Sequence, residues 1–220
     1  MNIFGALFAI GAGIFFGFIG PSTKMAYNLG ASIGLAIVLR YLVATILITP
    51  AIVLKPPPLS VYKKNIKILM LFTCASVLLT TGLLSSVHYI EVSLTILIFS
   101  TYPIIVLIFS IFINKEKISF IKKLFFFIAF LGIFFVLGPS FEKLSFAGVL
   151  YALIASIGAS MMIITNQKMS NININPIHIH FFTNLLNFIF FILIILLFFN
   201  LNLKIESNAW LIIMIPTLSY

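Results

Sequence analysis

The chain has 220 residues, 62% of them hydrophobic and 8% charged, whereas a soluble domain is about 45–50% apolar and about 25% charged. Too few polar side chains remain to cover a water-facing surface, which excludes a soluble enzyme, a secreted disulfide scaffold and a disordered tail. Thirteen Lys and Arg against four acidic residues give a net charge of +9, but the basic residues cluster between apolar runs, where a membrane protein keeps its orienting charges.

A helix needs about 20 apolar residues to cross a hydrocarbon core about 30 Å thick. Seven runs of that kind follow one another. The first, from about Ile3 to Thr23, begins almost at Met1 without basic residues ahead of it, so it reads as a span and not as a cleavable signal. It is expected to stop at Gly20-Pro21-Ser22-Thr23-Lys24. The second, about Ala31 to Leu54, contains Arg40 and ends at Lys55-Pro56-Pro57-Pro58. The third, about Ile68 to Val87, carries Ser76, Thr80, Thr81 and the single cysteine, Cys74, which is read as a packing thiol. Only His88-Tyr89-Ile90-Glu91 separates it from the fourth, about Val92 to Ile113, so the two must form a tight hairpin.

The fourth run holds Ser93, Thr95, Ser100 and Pro103, and leaves the membrane at Asn114-Lys115-Glu116-Lys117. The fifth spans about Leu124 to Gly138 and the sixth about Phe146 to Thr165. The seventh, about Ile177 to Phe199, opens with His178 and His180 and carries Thr183, Asn184 and Asn187. An eighth run starts at Ala209, and its twelve residues to Tyr220 are too few to cross a bilayer. The expectation is a chain cut within a span, the alternative being a surface or re-entrant segment.

With the N-terminus inside, the inner connections hold nine lysines (Lys55, Lys63, Lys64, Lys67, Lys115, Lys117, Lys122, Lys123 and Lys168) and the outer ones three, Lys24, Lys143 and Lys204. Positive charge stays inside, so a cytoplasmic N-terminus is expected. Richness in Ile, Phe, Asn and Lys is what AT-rich coding favours, which suggests a bacterial cytoplasmic membrane.

The start of the sixth run can be laid over the start of the first at an offset of 143 residues: Gly5, Leu7, Ala9 and Ala12 meet Gly148, Leu150, Ala152 and Ala155. A repeat of five spans is odd, so a second copy enters the membrane inverted. Inverted repeats are characteristic of secondary carriers, with the substrate site near the midplane.

On these features the sequence resembles the EamA branch of the drug/metabolite transporter superfamily. The residues that carry the resemblance are Ser93-Leu94-Thr95, Ser100-Thr101-Tyr102-Pro103 and Ile113-Asn114-Lys115-Glu116-Lys117-Ile118-Ser119, together with the arginine-aromatic pair Arg40-Tyr41. The resemblance implies an all-α integral membrane protein, a polytopic helical bundle of seven full spans plus the start of an eighth. These would belong to the inverted five-span repeats of a ten-span transporter. Residues 1–140 would be the first repeat and residues 145–220 an incomplete second. Export of amino acids or related metabolites is the activity most often implied.

Arg40 is the most informative single residue, because a charge within a span costs on the order of 3 kcal/mol on insertion scales. It either faces a cavity or partner, or snorkels to the headgroups. Substrate-path candidates are Arg40, Thr80, Thr81, Ser93, Ser100, Asn184 and Asn187; the hydroxyls among them can also simply bond to their own helices. Pro103 and Glu116 are candidates for a kink or gate, Pro103 equally a structural bend eased by Ser100 and Thr101, and Glu116 equally a solvated partner of its lysines. Gly13 with Gly17, and Ser156 with Ser160, stand four apart and read first as packing devices.

Neither metal ligation nor a cofactor is expected, and no Walker-type loop, HExxH or serine elbow occurs. The expected partners are the lipid bilayer and a small-molecule metabolite. Nucleic acid is excluded for want of a soluble basic face, and a homodimer is left open. The competing readings are a structural membrane subunit or inactive fragment, and a membrane-embedded lipid enzyme. The enzyme lacks a cluster of acid, base or metal-binding residues at one depth.

Overall fold

The computed structural model describes residues 3–57, 59–114, 119–137, 145–172, 174–198 and 212. Among them the regular elements are α-helices: α1 (Ile3–Asn28), α2 (Ile33–Leu54), α3 (Leu59–Lys64), α4 (Ile66–Tyr89), α5 (Val92–Phe99), α6 (Tyr102–Asn114), α7 (Phe120–Leu137), α8 (Phe146–Asn171) and α9 (Pro176–Phe198). Six stretches of the described residues are long and apolar enough to cross a membrane, with α5 and most of α6 forming one of them. The 18 residues of α7 occupy the place of the fifth expected span without being among the six. They rise only about 27 Å, a little less than the hydrocarbon thickness.

Large apolar side chains are left widely exposed, Leu54 and Phe135 at 81% and 76%, while Thr95, Ser156, Ser160 and Asn184 are buried, as are apolar residues such as Tyr41, Phe72 and Leu84. Exposed apolar side chains together with buried hydroxyls and amides are what a hydrocarbon solvent permits.

Two boundaries differ from the sequence expectation. The first helix does not stop at Gly20-Pro21 but runs through Pro21 to Asn28. The hydroxyl of Ser22 donates back to the carbonyls of Phe18 and Ile19, and such local bonding lets a membrane helix tolerate a proline. The stop is Gly30 instead. Its φ of +89° is open to glycine at little cost, and the Ala31 N–H donates to Ala26 O at 3.0 Å while the Gly30 N–H donates to Tyr27 O at 3.1 Å. That pair of bonds closes the helix end in the Schellman pattern. The next helix starts two residues later, with the Ser32 hydroxyl accepting from the Leu35 N–H at 3.2 Å.

The second difference is in the fourth run, which is two helices and not one. Here α5 ends at Phe99, and α6 begins at Tyr102. The expected tight hairpin before it is present: Ile90 caps α4 and Glu91 precedes the first residue of α5.

The chain divides by contact into two units. Residues 1–57 and 180–220 form one, and residues 58–179 form the other. In the first, α2 and α9 run antiparallel. Gly34 faces Ile195, whose Cδ1 lies 3.2 Å from where a Cβ would stand, and the Tyr41 ring stacks on Phe191 at 5.8 Å. Ala26, Ala31 and Leu35 form a buried cluster on which Tyr27, Leu39 and Ile212 pack.

In the second unit α4 and α8 lie antiparallel in very close contact. A Cβ at Gly82 would stand 2.6 Å from Ala155 N and Tyr151 O, and one at Gly158 would strike the backbone of Ala75 and Leu79. At the far end of the same seam Gly148 faces Ile90, and Tyr89 stacks on Tyr151 at 5.7 Å. Small residues allow this approach, which is how helices associate without a hydrophobic driving force. Ile90, Leu94 and Leu97 then pack against Phe130 and Phe134 of α7. By contrast, no described atom lies within 4 Å of a Cβ built at Gly13 or Gly17, so among the described residues that pair has no close neighbour. Nor is Cys74 a packing thiol: its side chain is exposed on α4.

Candidate functional site

The first unit places its polar residues on three helices. Arg40 is the eighth residue of α2, about 10 Å along the helix from its start, and is only 4% exposed. Its guanidinium lies within electrostatic reach of the Tyr27 phenol at the end of α1. On α9, Asn184, Asn187, Phe191 and Ile195 are spaced three, four and four residues apart, and all are buried. Such spacing puts them on one helix face. Phe191 and Ile195 of that face meet Tyr41 and Gly34 of α2. The two amides therefore sit on the side of α9 that is turned to the arginine-bearing helix.

Two polar atoms of this unit, Thr23 Oγ1 and Asn184 Nδ2, are buried without a hydrogen-bond partner among the described residues. Leaving such a group unsatisfied costs about 1–3 kcal/mol, so each calls for a polar partner beyond the described residues. Arg40, Asn184 and Asn187, chosen from sequence on separate grounds, thus fall in one unit. Tyr27 was missed because the first helix was expected to end before it, and Thr23 because it stood at that expected end.

The second unit holds the broken helix. Pro103 sits in the first turn of α6, where its missing N–H would have had no partner within the helix. The carbonyls around the break are taken up twice. Ser100 Oγ donates to Ile96 O at 2.7 Å and Thr101 Oγ1 to Ile98 O at 2.8 Å. From α8, Ser156 Oγ reaches Phe99 O at 2.8 Å, Ile98 O at 3.1 Å and Thr101 Oγ1 at 3.2 Å, and Ser160 Oγ lies 2.9 Å from Tyr102 O and 2.7 Å from Ser156 O of its own helix. Ser156 and Ser160 are therefore splints for the break and more than spacers. Their four-residue spacing was visible in sequence; the carbonyls they serve were not, because they lie on another helix.

Of the remaining candidates, Thr81 bonds back to Val77 O at 2.6 Å, which is the bland alternative for a helical threonine. Thr80 Oγ1 is buried and lacks a hydrogen-bond partner among the described residues. Ser93 is half-buried in the first turn of α5, and Glu116 lies outside the described residues. His88 and Glu91 are exposed in the hairpin, with His88 edge-on to Tyr89. His178 is buried and shares a hydrogen bond with Tyr62, at 2.7 Å between Oη and Nδ1. No group of three or more His, Cys, Asp or Glu that could hold a metal ion occurs among the described residues.

With helices as the regular elements of its described residues, six of their stretches long and apolar enough to cross a membrane, and large apolar side chains exposed, the chain is an integral membrane protein of several spans. Residues 3–138 match the model of the EamA-like transporter family. The chain belongs to that family, whose members are membrane transporters of small molecules and not enzymes. No curated protein matches it.

Proposed function

We propose that the chain is a secondary-active carrier that moves small metabolites, amino acids or related compounds, outward by alternating access between inverted repeats. The supporting observation is a reciprocal pairing of helices. If residues 145–220 open a second five-span repeat, α8 is the counterpart of α1 and α9 the counterpart of α2. The antiparallel contact of Tyr41 with Phe191 is then a contact between equivalents, as a two-fold axis in the membrane plane requires. In the same unit Ile212, helical, packs against the buried cluster of Ala26, Ala31 and Leu35.

In this reading the substrate passes Arg40, Asn184 and Asn187 in one unit and the hydroxyls near the α5–α6 break in the other. Ser93, Ser100, Thr80 and Thr81 belong to the path, and Pro103 gives it a hinge, with Glu116 at the inner edge. The protein lies in a bacterial cytoplasmic membrane with its N-terminus inside. Efflux of labelled amino acids from cells that express the full chain tests the proposal. Efflux should exceed that of cells without the protein, and Arg40→Ala should lower it more than tenfold at unchanged membrane level. Equal efflux in the two proteins would remove Arg40 from the mechanism.

A further inference from the structure

The chain passes between its two contact units at two places, between Pro57 and Pro58 and between Ile179 and His180. Tyr62, on α3, stands four residues after the first crossing, and His178, in the first turn of α9, stands just before the second. Both belong to the second unit, and each is only 6% exposed. Their side chains meet at 2.7 Å between Oη and Nδ1, with ring centroids 5.9 Å apart and the rings edge to face.

We propose that Tyr62 and His178 form a clasp that ties the two chain crossings to one place on the second unit. Among the side chains of α3 that the structure describes, Tyr62 is the buried one. The helix has six residues, fewer than an isolated helix needs to persist in water, and Ser60, Lys63 and Lys64 are exposed. Tyr62 is the anchor. On the other side His178 is well fixed, because Asn175 caps α9: its side-chain oxygen accepts from the Ile177 N–H at 3.0 Å, and its carbonyl accepts from the His178 N–H at 3.1 Å.

Removal from water pushes the Tyr62 phenol above its ordinary pKa, so it keeps its proton. With the His178 N–H on Nε2 the phenol donates to Nδ1, and with the N–H on Nδ1 the phenol oxygen accepts. While the bond holds, α3 and the start of α9 move as one piece. When it breaks, α3 is left on a proline-rich link upstream and the cap at Asn65 downstream, and the first turn of α9 is freed from it. The clasp thus sets how readily the two crossings part, whatever solute the protein carries.

Limited trypsin digestion of the full chain in lipid nanodiscs, where both faces are open, tests this directly. Lys63 and Lys64 directly follow Tyr62 and are exposed, whereas the bond after Lys55 resists trypsin because Pro56 follows. Tyr62→Phe, which removes one oxygen and keeps the ring, should raise the cleavage rate at Lys63 and Lys64 about tenfold, the scale expected for one buried hydrogen bond when cleavage proceeds through local opening. His178→Leu should do the same, and His178→Asn, which offers an acceptor at the place of Nδ1, should stay within about twofold of the parent. Cleavage at an unchanged rate in Tyr62→Phe, in protein that elutes as the parent does, would overturn the clasp. So would equal acceleration in His178→Asn and His178→Leu.

Discussion

A hydroxyl in a membrane interior answers to the nearest carbonyl, and that is what Ser156 shows. It sits on α8, yet its closest acceptor is Phe99 O on the far side of a helix break. Ser156→Ala leaves the Phe99 carbonyl short of a donor in a place where water cannot replace it. The expected loss is about 1–2 kcal/mol of stability, measured by denaturant-induced unfolding in mixed micelles, and Ser160→Ala should cost less, because the Ser160 hydroxyl divides between Tyr102 O and Ser156 O of its own helix. A change under a few tenths of a kcal/mol would mean the break holds itself. Arg40 is legible from sequence at this scale because a charge in an apolar run stands out whatever surrounds it. Tyr62 and His178 were not legible as a pair, since 116 residues separate them and neither belongs to a motif.

Among elements, α4 and α8 form the tightest seam, and glycine decides it. Gly82→Ala puts a methyl group against the backbone of Tyr151 and Ala155, and backbone cannot swing aside as a side chain can. Overpacking of this kind costs roughly 1–3 kcal/mol. Gly13→Ala is the matched control, because no described atom lies near its Cβ and alanine is the better helix former by up to about 1 kcal/mol. Thermal unfolding in detergent should show the first variant lowered and the second unchanged or raised; a Gly82→Ala protein as stable as the parent would contradict the packing.

Most helices lie within a few residues of where the apolar runs put them, because hydrocarbon thickness fixes their length. The exceptions have local causes. Proline was taken as a stop at Pro21, where Ser22 lets the helix continue, and as a bend at Pro103, where the helix breaks outright. The small helix α3 escaped notice because six residues carry no periodic signal.

Over the whole molecule, composition alone placed the chain in a bilayer, and the family match over residues 3–138 agrees with the order of short motifs in the first half. How the spans pair could not be read from sequence. Interior faces of membrane helices differ from lipid faces by small and polar residues, a weaker pattern than the apolar-polar contrast of a soluble helix. Within each unit helices from both halves of the chain meet: α2 on α9 in one, α4 on α8 in the other. Such cross-pairing is what gives the inverted-repeat account its content.

That account predicts a carrier, and counterflow separates a carrier from a channel or an inert bundle. The full chain would be reconstituted into liposomes preloaded with an unlabelled amino acid mixture, and the entry of trace labelled amino acids followed. A carrier gives saturable entry that rises severalfold above equilibrium when solute is loaded on the opposite side. Entry that grows linearly with concentration and ignores the trans solute would contradict alternating access.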